Sequence, residues 1–168
     1  MKSIDEKPFF KAIIVMGVSG CGKTTIAIRL AEKLQWTFIE SDDFHTEEHI
    51  QKMASDIPLT DADRQPWLET LHDRLAYLSL KDQSAVMACS ALKEKYRQTL
   101  TAGLKNIQFV YLKGDYDLIW QRMQERQHYM KPTMLKSQFE ALEEPDNALV
   151  IDIALPPETI VSEILRQI

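Results

Sequence analysis

Eight consecutive residues, Gly17-Val18-Ser19-Gly20-Cys21-Gly22-Lys23-Thr24, fit the spacing G-x-x-x-x-G-K-[ST], and Thr25 follows them. Glycines so spaced let the chain curl until successive backbone N–H groups converge on phosphate oxygens. A helix starting at the lysine adds the positive end of its dipole. In that arrangement Lys23 reaches the β- and γ-phosphates of ATP, and the Thr24 hydroxyl ligates its Mg2+. Three of the chain's five glycines fall inside this octapeptide, which a chance turn does not require. The pattern alone serves kinases, ATPases and GTPases. There is no Asn-Lys-x-Asp sequence to read guanine, and no long apolar strand ending in the aspartate of a motor ATPase. In small-molecule kinases a carboxylate comes from the end of the second strand, which here reads Glu40-Ser41-Asp42-Asp43. Asp42 is the residue expected to accept the attacking hydroxyl's proton or to hold Mg2+ through water.

Such residues need a scaffold that brings strand ends together. The apolar run 11–16 reads as a strand buried on both faces, and 36–39, 84–89, 108–112 and 148–153 read as four more. Helical patterns lie between them at 23–34, 63–80, 92–101, 116–126, 134–142 and 158–168. The 63–80 segment repeats Trp67, Leu71, Leu75 and Leu78 along one stripe. Strands alternating with helices predict right-handed βαβ units, a three-layer α/β/α sandwich around a five-stranded parallel sheet, and ligands at the carboxyl edge. With a phosphate loop after the first strand, the strand order expected by analogy with phosphate-loop kinases is 2-3-1-4-5.

The chain has 168 residues and a formal net charge of −5, with 45% apolar and 27% charged side chains. That is ordinary usage for a single folded domain, with no repeat and no linker. An acidic balance speaks against a nucleic-acid partner or an anionic membrane surface. No apolar run reaches the length of a membrane span, and residues 1–8 lack the apolar stretch of a secretory signal. Two cysteines, Cys21 and Cys89, fit a reduced, cytoplasmic protein without disulfides or structural zinc.

Further blocks follow the strands in a fixed order. They are Ser41-Asp-Asp-Phe-His45, Pro58-Leu-Thr-Asp-Ala-Asp-Arg-Gln-Pro-Trp-Leu68, Cys89-Ser-Ala-Leu-Lys-Glu-Lys-Tyr-Arg97, Leu112-Lys-Gly-Asp115 and Ser137-Gln-Phe-Glu-Ala-Leu-Glu-Glu-Pro145. Over about residues 12–153 the chain resembles the gluconate kinases, within the shikimate-kinase-like and nucleoside-monophosphate-kinase-like P-loop group. The resemblance implies ATP- and Mg2+-dependent phosphorylation of a small sugar acid, D-gluconate, at its 6-hydroxyl, by an enzyme that forms homodimers. It further implies an acceptor-binding insertion at about 44–80, a lid at about 126–136, and a Pro156 loop bordering adenine. Arg122 and Arg126 precede the lid and would meet the charge of the transferring phosphoryl group. Arg64, Lys93 and Arg97 offer cations for a carboxylate, the last two spaced i,i+4. His45, Lys52, Ser90 and Gln138 are expected partners for hydroxyls or the carboxylate. The family pattern has Gly, Pro, Asn and Gly where this chain has Ser41, Thr46, His49 and Asp56, all on the acceptor side. A kinase for L-idonate or shikimate is the neighbouring alternative, and a nucleotide-gated binding module is the alternative of another class.

Several residues have plainer explanations. His45-Thr-Glu-Glu-His49 matches H-x-x-E-H, a zinc-peptidase spacing, but sits at a strand end among the kinase blocks. Asp61 and Asp63 either cap the helix they begin or touch the acceptor. Trp67 is expected to pack, as is Cys89. Cys21 lies at a helix start, where its thiolate could be activated toward oxidation or alkylation.

Overall fold

The computed structural model describes residues 10–126 and 131–168. Five strands, β1 (Ala12–Met16), β2 (Thr37–Glu40), β3 (Ala85–Ala88), β4 (Ile107–Lys113) and β5 (Ala148–Asp152), form one parallel sheet in the order β2-β3-β1-β4-β5. The expected order is the one observed. β1 lies at the centre, with Ile14 paired to Met87 of β3 on one side and to Phe109 of β4 on the other.

The helices are α1 (Lys23–Leu34), α2 (Glu47–Ala54), α3 (Asp61–Leu80), α4 (Glu94–Thr101), α5 (Tyr116–Glu125) and α6 (Pro132–Ala141), which lie in the crossovers, and α7 (Pro157–Gln167), which follows the last strand. Alternate side chains of a strand point to opposite faces, so β1 feeds two cores. Ile13 and Val15 pack with Ile26 and Leu30 of α1, Ile119 of α5, Leu135 of α6 and Ile164 of α7. Ala12, Ile14 and Met16 pack with Trp67, Leu71, Leu75 and Leu78 of α3 and Leu100 of α4. These are the two helical layers of an α/β/α sandwich. The stripe foreseen along α3 is buried at every one of its four positions.

α3 begins at Asp61, two residues before the expected start, because Thr60 caps it. The Thr60 hydroxyl accepts the Asp63 N–H at 3.0 Å, and the Asp63 carboxylate accepts the Thr60 N–H at 2.9 Å. This reciprocal box satisfies two otherwise orphaned donors. α4 starts at Glu94, two residues later than expected, and a 3-10 turn (Ser41–Phe44) and α2 are additional elements. Of the lid expected at about 126–136, residues 127–130 lie outside the described residues, as do residues 1–9. Among the described residues no helix is long and apolar enough to cross a membrane.

Candidate active site

The phosphate loop leaves β1 and enters α1 at the carboxyl edge of the sheet. Gly17 takes φ +147°, and a Cβ there would stand 2.8 Å from Cys21 Sγ and 2.9 Å from the Leu112 carbonyl oxygen. Gly20 takes φ +80°, and its Cβ would press within 2.6 Å of Met123 Cγ. The first contact pins the loop to β4, the second to α5, and both demand glycine. The Gly17 N–H donates to the Ser90 carbonyl at 3.3 Å, which ties the loop to the end of β3. Val18 and Cys21 are buried beneath it.

Lys23 Nζ folds onto the Val18 carbonyl at 3.0 Å, inside the loop it must serve. Thr24 Oγ1 donates to Glu40 Oε2 at 2.5 Å, and Glu40 Oε1 accepts the Asp42 N–H at 3.4 Å. Glu40 is the last residue of β2. Its link to Thr24 makes it a site residue that sequence reasoning left out, although its place at a strand end beside the loop was a usable signal. Thr24, Glu40 and Asp42 are hard oxygen donors at one corner, a set that fits Mg2+.

Asp42 itself is exposed, with His45 Nε2 3.5 Å from Oδ1. The His45 imidazole holds the Asp42 carboxyl below the ordinary carboxylate range. Partial loss of water around the carboxyl opposes that shift, and the nearby Lys23 ammonium adds to it. Asp42 is therefore ionised at neutral pH and a weak base, suited to orienting a hydroxyl. His45 is stacked on Trp67, with ring centroids 4.4 Å apart, and Trp67 Nε1 donates to the Ser41 carbonyl at 2.9 Å. Trp67 packs, as expected, and its packing sets the imidazole against Asp42. His49 meets His45 edge to face at 5.6 Å. Among the described residues no group of three His, Cys, Asp or Glu side chains stands together as a metal site, so the H-x-x-E-H spacing has no third ligand.

The expected acceptor residues divide into two groups. A cleft of about 290 Å³ is lined by Arg64, Lys93, Ser137 and Gln138, with Thr60 and Asp61 at its wall. Arg64 Nη1 donates to the Leu59 carbonyl at 2.5 Å and to the Tyr96 hydroxyl at 3.2 Å. Asp61 gathers Lys93 at 3.3 Å, together with Lys95 and the Tyr96 hydroxyl. Two lysines on one carboxylate, with Arg64 nearby on Tyr96, leave a positive surplus on this wall. The open choice for the two aspartates resolves with Asp63 as the cap and Asp61 as the anchor of the cation cluster.

Lys52 and Arg97 stand differently from the expectation. Lys52 Nζ is bonded to Asp63 Oδ1 at 2.9 Å, so its charge is shared with the capping box. Arg97 is buried, and its guanidinium donates to the Ala91 carbonyl at 2.7 Å, the Glu143 carbonyl at 2.9 Å and the Glu94 carboxylate at 3.1 Å. Lys93 caps α4 from outside the helix, so the two cations do not share a helical face. In this structure Arg97 braces the β3–α4 loop against the segment after α6. For Cys21, where activation at a helix start was only an open possibility, burial pushes the thiol up, against the pull of Lys23 and, more weakly, Arg126. Cys89, fully buried, is pushed up to about 11.

On the nucleotide side, Ile119 and Met123 of α5 press against Gly20, while Arg122 and Arg126 end the same helix. The Arg126 N–H donates to the Arg122 carbonyl at 3.1 Å. Pro156 caps α7, whose Ile160, Val161 and Ile164 join the core on the α1 side of the sheet.

A family model described as shikimate kinase matches residues 19–168. The chain is 41% identical over 160 residues to the thermoresistant gluconokinase of Escherichia coli K12, covering 92% of this chain and 91% of that protein. The chain belongs to the gluconokinase family. The thermosensitive gluconokinase of the same organism is 47% identical over 136 residues, 80% of this chain and 73% of that one. The crystal structure of a gluconokinase from Sinorhizobium meliloti 1021 superposes with a TM-score of 0.86 at 40% identity, over 93% of this chain and 90% of that one. The gluconokinase family accounts for the parallel sheet, the phosphate loop and the kinase chemistry together.

Proposed function

We propose that this gluconokinase-family chain transfers the γ-phosphoryl group of ATP to the 6-hydroxyl of D-gluconate, giving 6-phosphogluconate and ADP. The observation that carries the reading is the cleft in which Arg64 and Lys93 face Gln138, whose side chain also touches the phosphate loop. A cationic wall for a carboxylate thus stands beside the donor site. On this reading residues at about 44–80 serve as the acceptor-binding insertion, and the lid at about 126–136 is the one the family resemblance implies. Arg64 and Lys93 hold the acid's carboxylate; His45, Lys52, Ser90 and Gln138 lie along its hydroxyls. Arg97 serves by bracing the loop that carries Ser90 and Lys93.

In the transfer, the bond between Pγ and the β–γ bridging oxygen breaks, and a bond from the gluconate 6-oxygen to Pγ forms. The hydroxyl proton passes to the Asp42 carboxylate. A loose transition state asks little of the base, so a carboxylate of lowered basicity that orients the hydroxyl is sufficient. Lys23 swings from the Val18 carbonyl to the phosphates, and Arg126, with Arg122 behind it, meets charge on the equatorial oxygens. Thr24, with Glu40 and Asp42 acting through water, would hold Mg2+, whose charge would offset that of the phosphates. Val18, Ser19, Gly20, Cys21, Gly22 and Thr25 frame the phosphates, and Pro156 borders the base. The family resemblance carries with it a homodimer, checked by sedimentation, and a cytoplasmic location, checked by fractionation.

The test is ADP release from Mg-ATP with D-gluconate, L-idonate, shikimate or no acceptor. The expected result is turnover of about 1–100 per second on gluconate alone. Lys23→Ala should lower that rate by about 10²–10³-fold or more. Preference for another acid would move the acceptor assignment and keep the mechanism. ADP release indifferent to every acceptor would overturn the kinase reading.

A further inference from the structure

The two walls of the acceptor cleft do not share a core. Residues 58–61 and Arg64 line one wall, at the start of α3, which packs on the sheet face carrying Ile14 and Met16. Ser137, Gln138 and Ala141 of α6 line the other, and α6 buries Leu135 with Ile13 and Val15 on the opposite face. Packing within either layer therefore does not by itself set the distance between the walls, and polar links across the carboxyl edge must do so. Past the end of α6, the Glu143 N–H donates to the Leu92 carbonyl at 2.8 Å, and Arg97 holds the Glu143 carbonyl at 2.9 Å. At the start of α6 the link is Asp56. Its Oδ2 accepts the Thr133 hydroxyl at 3.2 Å and lies 3.6 Å from Lys131 Nζ. Among the described residues, these two contacts are the hydrogen bond and the ion pair that join residues 44–80 to residues 131–145.

The backbone at Asp56 is made for another residue. α2 ends in a Schellman motif, with the Ile57 N–H donating to the Lys52 carbonyl at 2.9 Å and the Asp56 N–H to the Met53 carbonyl at 3.2 Å. Asp56 holds the left-handed position of that motif, φ +60°, where glycine fits without a steric cost. The cap alone would thus be better served by glycine. What the aspartate adds is a carboxylate that reaches a helix 77 positions away in the chain. Lys131 is 70% exposed, so its ion pair contributes little, and the Thr133 hydrogen bond is the effective link. Asp56 is not among the residues that line the cleft.

We propose that Asp56 is a positioning residue for the acceptor: its bond to Thr133 ties one cleft wall to the other and fixes the width at which Arg64 and Gln138 face a sugar acid. Loss of the tie weakens acceptor binding and leaves the transfer step alone, because Lys23, Asp42 and Arg126 lie outside the link. The inference rests on the proposed gluconate reading for what fills the cleft, whereas the tie itself does not.

The experiment compares wild type with Asp56→Gly, Asp56→Asn, Thr133→Val and the double variant Asp56→Gly/Thr133→Val. With saturating Mg-ATP, Asp56→Gly and Thr133→Val should each raise the KM for D-gluconate by about 3–10-fold, the worth of one hydrogen bond, and keep kcat within about 2-fold. The double variant should show no larger a rise than either single one, since both remove the same bond. Asp56→Asn keeps an oxygen for Thr133 and tolerates the left-handed backbone, so its KM should stay within about 2-fold of wild type. Asp56→Gly should melt no lower than wild type, which separates the tie from a merely structural role. In ligand-free protein, hydrogen–deuterium exchange at residues 131–138 should be about 3-fold or more faster in Asp56→Gly and Thr133→Val than in wild type. An unchanged KM in either single variant overturns the proposal. So do effects that add in the double variant, a rise in Asp56→Asn as large as in Asp56→Gly, and a kcat that falls in step with the melting temperature. Were wild type to phosphorylate no gluconate, the functional reading would fail. The exchange comparison needs no substrate and would still decide the tie, with unchanged exchange overturning it.

Discussion

A cysteine in a phosphate loop has two opposing influences on its thiol. The helix N-terminus and Lys23 favour the thiolate, while removal from water disfavours it. In this chain burial wins: Cys21 is 4% exposed, and its thiol is pushed up. Its Sγ also fills the space against Gly17, so a reagent has no line of approach. Iodoacetamide at pH 7.5 should leave both Cys21 and Cys89 unlabelled in the native protein and label both after denaturation, as read by mass spectrometry. Fast native labelling of Cys21 would restore the activated-thiol reading. The same contest explains which site residues were legible in the sequence. Lys23, Thr24 and Asp42 sit where motif and strand end place them. Spacing reports that Lys93 and Arg97 can be neighbours but does not report that Arg97 is turned inward to backbone carbonyls. Glu40 escaped notice because its role depends on a hydrogen bond to Thr24, 16 residues away.

At the scale of elements, the five strands and the long apolar stripe of α3 could be read from periodicity, since each is a repeated local pattern; the strand order came from the resemblance to P-loop kinases. α2 could not. It buries only His49, while Ile50 and Met53 face outward, so it presents no apolar stripe. The start of α3 is set by the Thr60–Asp63 box, and its charge makes a prediction. The Thr60 N–H, with Lys52 behind it, holds the Asp63 carboxyl down to about 2, from an ordinary value near 3.8. A carboxylate with a lowered folded pKa stabilises the fold fully above its unfolded pKa, and that contribution fades as the pH falls toward the folded one. The melting temperature of wild type should therefore drop more steeply between pH 4 and pH 2 than that of Asp63→Asn, with the two curves closest at the acid end. Parallel curves over that range would show that the box contributes through its neutral hydrogen bonds alone.

At the scale of the whole molecule, the nucleotide site lies where two strands and two helices meet the phosphate loop. The phosphate loop is held by β4 through Gly17, by β3 through the Ser90 carbonyl, by α5 through Gly20 and by α6 through Gln138. A ligand on that loop binds only when all four supports are in register, so it binds the native state and not the unfolded chain. Such binding stabilises by about 2.7 kcal/mol at 100 times Kd. For a domain of this size each kcal/mol is worth about 2–4 °C, so the melting temperature should rise by about 5–10 °C. Thermal denaturation with saturating non-hydrolysable ATP analogue and Mg2+ should show that rise in wild type. Lys23→Ala should keep the ligand-free melting temperature, because among the described residues Lys23 Nζ is hydrogen-bonded only within its own loop, and lose most of the rise at the same ligand concentration. A full rise in that variant would place the nucleotide elsewhere. A collapsed ligand-free melting temperature would show that the lysine's bond to Val18 holds the loop itself.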